Sequence, residues 1–112
     1  MDVTLYLEDI PPGSKFIRGI EGAFGGPLKF AILLLNQGDG VCKAAAALGT
    51  MSEKGNIDLG LKAIEAGFTT LDFHARKGTQ VTRHAVWLSS DRHFDYYTVD
   101  LIAEARRLGI DT

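Results

Sequence analysis

The residues whose chemistry stands out first lie at positions 70–87, in the stretch TLDFHARKGTQVTRHAVW. Two of the chain's three histidines are here, and polar and apolar side chains alternate on both sides of a Lys77-Gly78 pair. A glycine-containing pair between two alternating segments is typical of a β-hairpin. We therefore predict two antiparallel strands over 68–76 and 79–88.

One face of this hairpin is predicted to be polar, because successive residues of a strand point to opposite faces of the sheet. The register places Asp72 opposite Arg83 and turns His84 inward among apolar neighbours. An imidazole beside a carboxylate and two guanidiniums is suited to a phosphate or carboxylate ligand. The predicted ligand site is the following set on the polar face: Asp72, His74, Arg76 and Arg83. The alternative is a solvated face whose Asp72–Arg83 pair adds about 0.2–1 kcal/mol.

An enzyme acting on a small anionic substrate is the first alternative function. His74 or His93 would serve as general acid or base, since an imidazole titrates near neutral pH. Arg76 and Arg83 would hold the anion. This hypothesis requires a concave pocket into which at least two of these side chains converge.

Nucleic-acid binding through the 68–88 hairpin is the second alternative. A basic β-hairpin that carries an aromatic residue can enter a groove or stack on a base, and Trp87 would supply the aromatic ring. The net charge of −2 and the lack of the sheet aromatics typical of an RNA-recognition motif disfavour this function.

The segment NQGDGVCKAAAAL, at 36–48, is a further candidate site because it follows an apolar strand and is predicted to begin a helix. It matches neither the glycine fingerprint of dinucleotide sites nor the phosphate-loop pattern, and Asp39 would repel a phosphate. We therefore interpret 36–40 as a plain turn with glycines at positive φ. Cys42 is interpreted as a small buried residue, with a nucleophile in the first helical turn as the alternative.

Potential metal ligands occur together in SSDRHFDYYTVD, at 89–100. This segment is predicted to begin the last helix, where acidic side chains stabilise the helix dipole without any ligand. Zinc sites need convergent histidine and cysteine ligands, which the segment lacks. The prediction is therefore no metal and no cofactor, with capping and dipole roles for the ligand-type residues Asp91, His93, Asp95 and Asp100.

Three aromatic residues are candidates for contact with a protein partner: Trp87, Tyr96 and Tyr97. Tyr96 and Tyr97 are consecutive, so they cannot both face the core. An exposed tyrosine near Trp87 would form the kind of amphipathic patch that protein interfaces favour.

The elements that position these residues follow from hydrophobic periodicity. Strands are predicted over 2–8, where apolar residues alternate, and over 28–35, where LKFAILLL is almost entirely apolar and favours a strand covered on both faces. Helices are predicted, from helix formers, capping residues and terminal glycines, over 15–24, 41–48, 59–66 and 90–108.

With the hairpin, the element order is β-α-β-α-α-β-β-α. This order predicts an α/β or α+β fold, a two-layer or three-layer sandwich with a mixed sheet of about four strands. The first two strands would be parallel, joined by a right-handed crossover through a helix. A C-terminal antiparallel hairpin would precede the last helix, and a ferredoxin-like topology is one arrangement that fits.

The totals describe one globular domain over residues 1–112, with 46% hydrophobic and 23% charged residues. These values are close to soluble-protein averages and exclude intrinsic disorder. A single cysteine allows no internal disulfide, and the start MDVTLYLEDI lacks the basic region of a signal peptide. The apolar run at 30–35 is far below the roughly 18 residues that span a bilayer. The sequence therefore predicts a cytoplasmic protein without a membrane partner.

The leading functional hypothesis is a small cytoplasmic binding protein, regulatory or accessory and non-catalytic, that self-associates. The predicted hairpin leaves a free sheet edge, and such edges are commonly paired or covered in native assemblies. The expected partners are a second copy of the chain and, beyond it, a protein or a small anionic ligand.

Overall fold

The computed structural model describes residues 2–22, 25–50 and 52–110, which form an α+β fold of six strands and two helices. The strands build one mixed sheet in the order β1-β2-β3-β4-β6-β5. The elements, in chain order, are β1 (Lys15–Ile20), β2 (Leu28–Gly38), β3 (Val41–Leu48), α1 (Glu53–Glu65), β4 (Thr70–Arg76), β5 (Val86–Ser90), β6 (Phe94–Asp100) and α2 (Leu101–Arg107).

Every neighbouring pair of strands in the sheet is antiparallel except β3 and β4. Their parallel connection runs through α1, as expected because parallel neighbours need a long crossover. The parallel ladder is short, since only Val41–Lys43 pair with Thr70–Asp72. β5 and β6 form an antiparallel hairpin that leads directly into α2.

The hydrophobic core lies between the two helices and one face of the sheet, here called the helix face. Ile32 and Leu34 of β2 and Cys42 of β3 are buried there against Ala63 of α1 and Leu101 of α2. Each large apolar side chain removed from water contributes about 1.5–3 kcal/mol. The opposite face of the sheet, here called the open face, carries neither helix.

Three of the predicted elements are confirmed. The strand predicted over 68–76 corresponds to β4. β2 contains the apolar run 28–35 and lies between β1 and β3, away from the edges of the sheet. The predicted cover on both faces of this strand is wrong, because the helices pack on one face only. The predicted helix 59–66 corresponds to α1, although α1 begins earlier, at Glu53. Its N-cap is Ser52, whose hydroxyl oxygen accepts a hydrogen bond from the Gly55 backbone N–H at 3.1 Å.

The predicted helix over 41–48 is wrong, because these residues form β3. The plain turn predicted over 36–40 is confirmed at Asp39 and Gly40, whereas residues 36–38 belong to β2. Gly38, Asp39 and Gly40 have positive φ. Positive φ at the two central residues, Asp39 and Gly40, is typical of the tight turns that join two antiparallel strands, here β2 and β3. The alanines therefore pair with β2, and their helix propensity, a few tenths of a kcal/mol per residue, is outweighed by that pairing.

The predicted helix over 15–24 is also wrong where the structure describes it. Residues 15–20 form β1, which pairs antiparallel with β2, whereas residues 23 and 24 lie outside the described part of the chain. Gly19 suits this pairing, because a Cβ atom added there would lie 3.1 Å from the Phe30 Cβ atom. A glycine that weakens a helix thus permits close approach of two strands.

The predicted 68–88 hairpin does not form. β4 pairs instead with β6, and residues 79–85 contain no strand. The predicted helix from 90 begins only at Leu101, where the Asp100 carboxylate caps α2 by accepting from the Ala103 backbone N–H at 3.0 Å. A C-terminal antiparallel hairpin followed by a helix is present, but it consists of β5 and β6.

The predicted strand over 2–8 is not part of the sheet, so its parallel pairing with 28–35 is wrong as well. Residues 2–9, here called the N-terminal arm, are all exposed. The mixed sheet is confirmed, with six strands instead of four, and the ferredoxin-like topology is not confirmed. Neither helix of the described residues is long and apolar enough to cross a bilayer.

Candidate functional site

The polar residues of β4 lie on the open face of the sheet. Leu71 and Phe73 pack against the core on the helix face, so the alternating residues Asp72, His74 and Arg76 point the other way. The cross-strand neighbours of these three residues on β6 are Thr98, Tyr96 and Phe94. Three of the four residues of the predicted ligand site therefore share a face.

Aromatic rings of β6 surround the two basic side chains of this face. The His74 ring meets the Phe94 ring edge-on, with centroids 5.0 Å apart, and lies 5.9 Å from the Tyr96 ring. The Arg76 guanidinium carbon lies 5.8 Å from the Phe94 centroid. A cation over a ring at an exposed site contributes about 0.5–1 kcal/mol. These contacts hold the imidazole and the guanidinium against the aromatic rings of β6.

A shallow cleft opens between β3 and β4 beside His74. The register of β3 against β2 skips Ala45, and such a bulge bends the strand that carries it. The cleft has a volume of about 210 Å³ and is lined by Ala44–Ala47 and His74. Ligand pockets are commonly about 300–1,000 Å³ and present several convergent polar groups. Here the imidazole is the one titratable side chain of the lining.

Arg83 does not join the polar face through strand pairing, so the predicted Asp72–Arg83 pair is wrong. It lies in the 79–85 segment, where its Nε donates a hydrogen bond to His84 Nε2 at 3.4 Å. His84 is half-buried in the same segment and does not face inward from a strand as predicted. The difference follows from the pairing partner of β4, which is β6.

The turn between β5 and β6 is organised by Asp91. Its Oδ1 accepts hydrogen bonds from the backbone N–H groups of His93 at 2.9 Å and Phe94 at 2.8 Å. Its Oδ2 accepts from the Tyr96 hydroxyl at 2.5 Å. This hydroxyl bond, followed by the two backbone bonds, lowers the pKa of Asp91 to about 2. The pKa of Tyr96 is raised, chiefly because its hydroxyl donates to the carboxylate.

The remaining ligand-type residues of 89–100 have structural partners of their own. Asp95 accepts a hydrogen bond from the Ser90 hydroxyl, and Asp100 caps α2. The predicted helix-dipole roles of Asp91 and Asp95 are wrong, because Asp91 lies in a turn and Asp95 in β6. Across residues 2–22, 25–50 and 52–110, no group of three or more histidine, cysteine or acidic side chains could hold a metal ion.

The three predicted contact aromatics are divided between the two faces of the sheet. Trp87 lies opposite Tyr97, and the Tyr97 ring stacks on Phe73 at 5.5 Å, so these rings run from the sheet edge towards the core on the helix face. Tyr96 lies on the open face beside His74. The Trp87 Nε1–H donates to the Ser90 hydroxyl at 2.9 Å, which orients the indole along β5.

An exposed apolar sheet edge is formed by β5. Within the described part of the chain, this strand is last in the sheet and has β6 as its one neighbour. Three consecutive large apolar side chains are more than half exposed on it: Val86 at 60%, Trp87 at 57% and Leu88 at 51%. The sequence predicts residues 86–88 as the end of a hairpin strand and Ser90 as the start of the last helix, whereas in the structure VWLSS forms the edge strand.

The Cys42 thiol is buried in the core on β3, which confirms its interpretation as a structural residue. Burial, together with the nearby negative charge of Asp72, raises the pKa of the thiol to about 11. No helix begins at Cys42, so no helix dipole acts to lower this value. The thiol is protonated at neutral pH and is not an activated nucleophile.

Comparison with known proteins gives no functional assignment. No protein-family model matches the chain, and no curated protein sequence matches it. Function is therefore inferred from the geometry of the molecule alone.

Proposed function

We propose that this protein is a small, non-catalytic cytoplasmic binding protein that works as a self-associated assembly in a regulatory or accessory role. The observation that carries the proposal is the surface area of the single chain. The chain exposes 8325 Å², whereas a compact folded monomer of 12.1 kDa exposes about 6,000 Å². The excess of about 2,300 Å² is well above the roughly 800 Å² that each partner contributes to a standard interface.

Two runs of exposed large apolar side chains contribute to this area. The N-terminal arm exposes Val3, Leu5, Tyr6 and Leu7, and β5 exposes Val86, Trp87 and Leu88. Monomeric proteins rarely leave contiguous apolar patches of more than a few hundred Å² open to water. A partner that covers these surfaces would bring the exposed area close to that of an ordinary folded protein.

The open-face cleft supports binding over catalysis. The enzyme hypothesis needs two of His74, His93, Arg76 and Arg83 to converge on one pocket, and of these His74 alone lines the cleft. His93 lies in the β5–β6 turn and Arg83 in the 79–85 segment. An acid–base group without a second convergent polar group provides no means to orient a substrate.

The folded arrangement also favours a protein partner over nucleic acid. The hairpin that would have presented a continuous basic surface is replaced by β4 and the separate 79–85 segment. Arg76 ends β4 with its guanidinium over Phe94, and the net charge of the chain is −2. Nucleic-acid affinity depends on many cationic contacts to phosphate, which this distribution does not favour.

Sedimentation velocity over a wide concentration range tests the proposal. We expect an average mass above one chain that rises with concentration, since a sheet edge and an apolar arm both need covering. A strict monomer at the highest concentration would overturn self-association.

Two matched variants then locate the surface. The first variant is Leu88→Ser on β5, and the matched control is Leu108→Ser at the end of α2. The two leucines are similarly exposed, at 51% and 54%. We expect Leu88→Ser to weaken association and Leu108→Ser to leave it unchanged. Equal behaviour of the two variants would contradict the role of β5.

A further inference from the structure

The N-terminal arm and the β5 edge have complementary properties. From these we infer that the arm of one copy, residues 2–9, adds as a strand to the outer edge of β5 in a second copy. This inference rests on the proposed self-association and names the two elements that carry it. Strand addition satisfies main-chain donors and acceptors on both partners while side chains supply specificity.

The arm has the pattern of a strand but no sheet to join. Its apolar residues alternate, and in the single chain Val3 is 80%, Leu5 89% and Leu7 101% exposed. Alternation of this kind gives a strand one apolar face that is stable only when covered. The arm therefore has the residue pattern of a strand whose apolar face is covered by another part of the assembly.

The arm cannot lie alongside β5 of its own chain as a paired strand. Its base is held beside β2, where the Asn36 side-chain amide donates to the Pro12 carbonyl at 2.8 Å and the Asn36 backbone N–H donates to the Ser14 hydroxyl at 3.0 Å. β5 is four strand spacings from β2 in the sheet, about 19 Å at about 4.8 Å per strand. Ile10 is the single residue between the arm and Pro11, and one residue spans about 3.5 Å.

Pairing of the arm with β1 of its own chain is disfavoured by the turn between them. Pro11–Ser14 form a tight turn, closed by the Ser14 backbone N–H donating to the Pro11 carbonyl at 3.2 Å, with φ of +83° at Gly13. Proline followed by glycine at positive φ is typical of a type II turn, which splays the flanking strands. Pro11 and Pro12 also lack the N–H groups with which a hairpin ladder would begin.

Charge supports the match between the arm and β5. The arm is acidic at both ends, with Asp2 at one and Glu8 and Asp9 at the other. β5 is preceded by the exposed Arg83 and followed by the exposed Asp91 and Arg92, so basic charge is in excess only before the strand. An antiparallel arm would bring Glu8 towards Arg83, and Asp2 towards the adjacent Asp91 and Arg92, so the contact with Arg83 is the one that favours this orientation.

The edge of β5 is also poorly protected against strand addition. Natural edge strands are often blocked by proline or by charged residues, especially lysine, and VWLSS contains neither. The strand has one bulge, at Leu88, after which pairing with β6 resumes at Ser89. The bulge restricts the register of an added strand without closing the edge.

Deletion of residues 2–9 tests the inference. These residues are exposed in the single chain and lie outside the turn that Asn36 holds, so the shortened protein should keep its circular dichroism spectrum and its unfolding midpoint at high dilution. We expect its self-association constant to fall at least tenfold. Trp87 is the one tryptophan of the chain and lies on β5, so its fluorescence reports directly on the proposed edge.

A synthetic peptide of residues 2–9 provides a second, independent test. Added to the shortened protein, it should shift the Trp87 emission to the blue, whereas a peptide with Val3, Leu5 and Leu7 replaced by serine should not. Equal association constants for the full-length and the shortened protein would overturn the inference and leave the proposed self-association intact. Loss of association on deletion, without any peptide effect on Trp87, would overturn β5 as the site. A full-length monomer would overturn the proposed function as well.

Discussion

The Tyr96 hydroxyl donates a hydrogen bond to Asp91 Oδ2 at 2.5 Å and so ties the β5–β6 turn to the open face of the sheet. The other carboxylate oxygen of Asp91 accepts from two backbone N–H groups of the same turn. One acidic side chain therefore fixes the path of the chain between two strands, and a residue with the character of a metal ligand has a structural role.

Replacing Asp91 by asparagine should destabilise the protein at neutral pH and much less in acid. The pKa of Asp91 is lowered in the folded protein from 3.8 to about 2, so its ionised form adds stability above about pH 4. That contribution is lost as pH falls through 2. Urea unfolding of wild type and Asp91→Asn at several pH values should show a difference in unfolding free energy that shrinks over this window.

Asp58→Asn, which removes an exposed ion pair with Lys54, is the control. A difference that stays constant from pH 7 to pH 2 would refute the assignment.

Tyr96→Phe should raise the pKa of Asp91 towards 3.8, because the hydroxyl is the largest cause of the lowered value. Carboxyl chemical shifts in an NMR titration measure this directly. Tyr97→Phe is the matched control, since Tyr97 lies on the opposite face and stacks on Phe73. A rise of equal size in both variants would contradict the role of the Tyr96 hydroxyl.

Cys42 should react very slowly with a thiol reagent in the native protein. A pKa of about 11 in place of 9.0 leaves about 100-fold less thiolate at pH 8, and the side chain is buried as well. Absorbance assays with a disulfide reagent, with and without urea, measure the two rates. Reaction of the native thiol at the unfolded rate would show that the core around Cys42 opens readily.

Gly49→Ala should be far more destabilising than Gly67→Ala. Both glycines have positive φ, +82° and +102°, which costs an alanine about 1–2 kcal/mol. At Gly49 the added Cβ atom would also lie 2.2 Å from the Lys29 carbonyl oxygen, whereas at Gly67 it would meet no atom within 4 Å. Urea unfolding should give a loss of about 1–2 kcal/mol for Gly67→Ala and roughly 3 kcal/mol or more for Gly49→Ala. Equal losses would mean that the backbone at Lys29 moves freely.

Leu34→Ala should cost about 2–5 kcal/mol of unfolding free energy, because the Leu34 side chain is fully buried under the helices. Leu48→Ala, at an exposed position of β3, should change stability by less than about 0.5 kcal/mol. Thermal or urea unfolding of the two variants measures the contrast. A small loss of stability in Leu34→Ala would show that Leu34 is not part of the hydrophobic core.

Alanines 44–47 and the partner of β4 show where local signals fail. Alanine favours a helix by only a few tenths of a kcal/mol over most residues, and the Asp39-Gly40 turn brings the segment onto β2, where a ladder and core contacts outweigh that preference. β4 pairs with β6 through contacts between residues distant in sequence, such as Phe73 stacked on Tyr97. A hairpin with 79–88 satisfied the same local pattern, so the sequence alone could not choose between them.

The sequence by itself determined the features that depend on local periodicity and turn chemistry. These are the apolar strand β2, the helix α1, the turn at Asp39 and Gly40 and the common face of Asp72, His74 and Arg76, which alternation sets whichever strand β4 pairs with. The tertiary structure decided the rest because pairing between distant strands depends on which contacts bury the most surface. It separated Arg83 from that face, placed Phe94 and Tyr96 beside His74, and left the N-terminal arm and β5 uncovered.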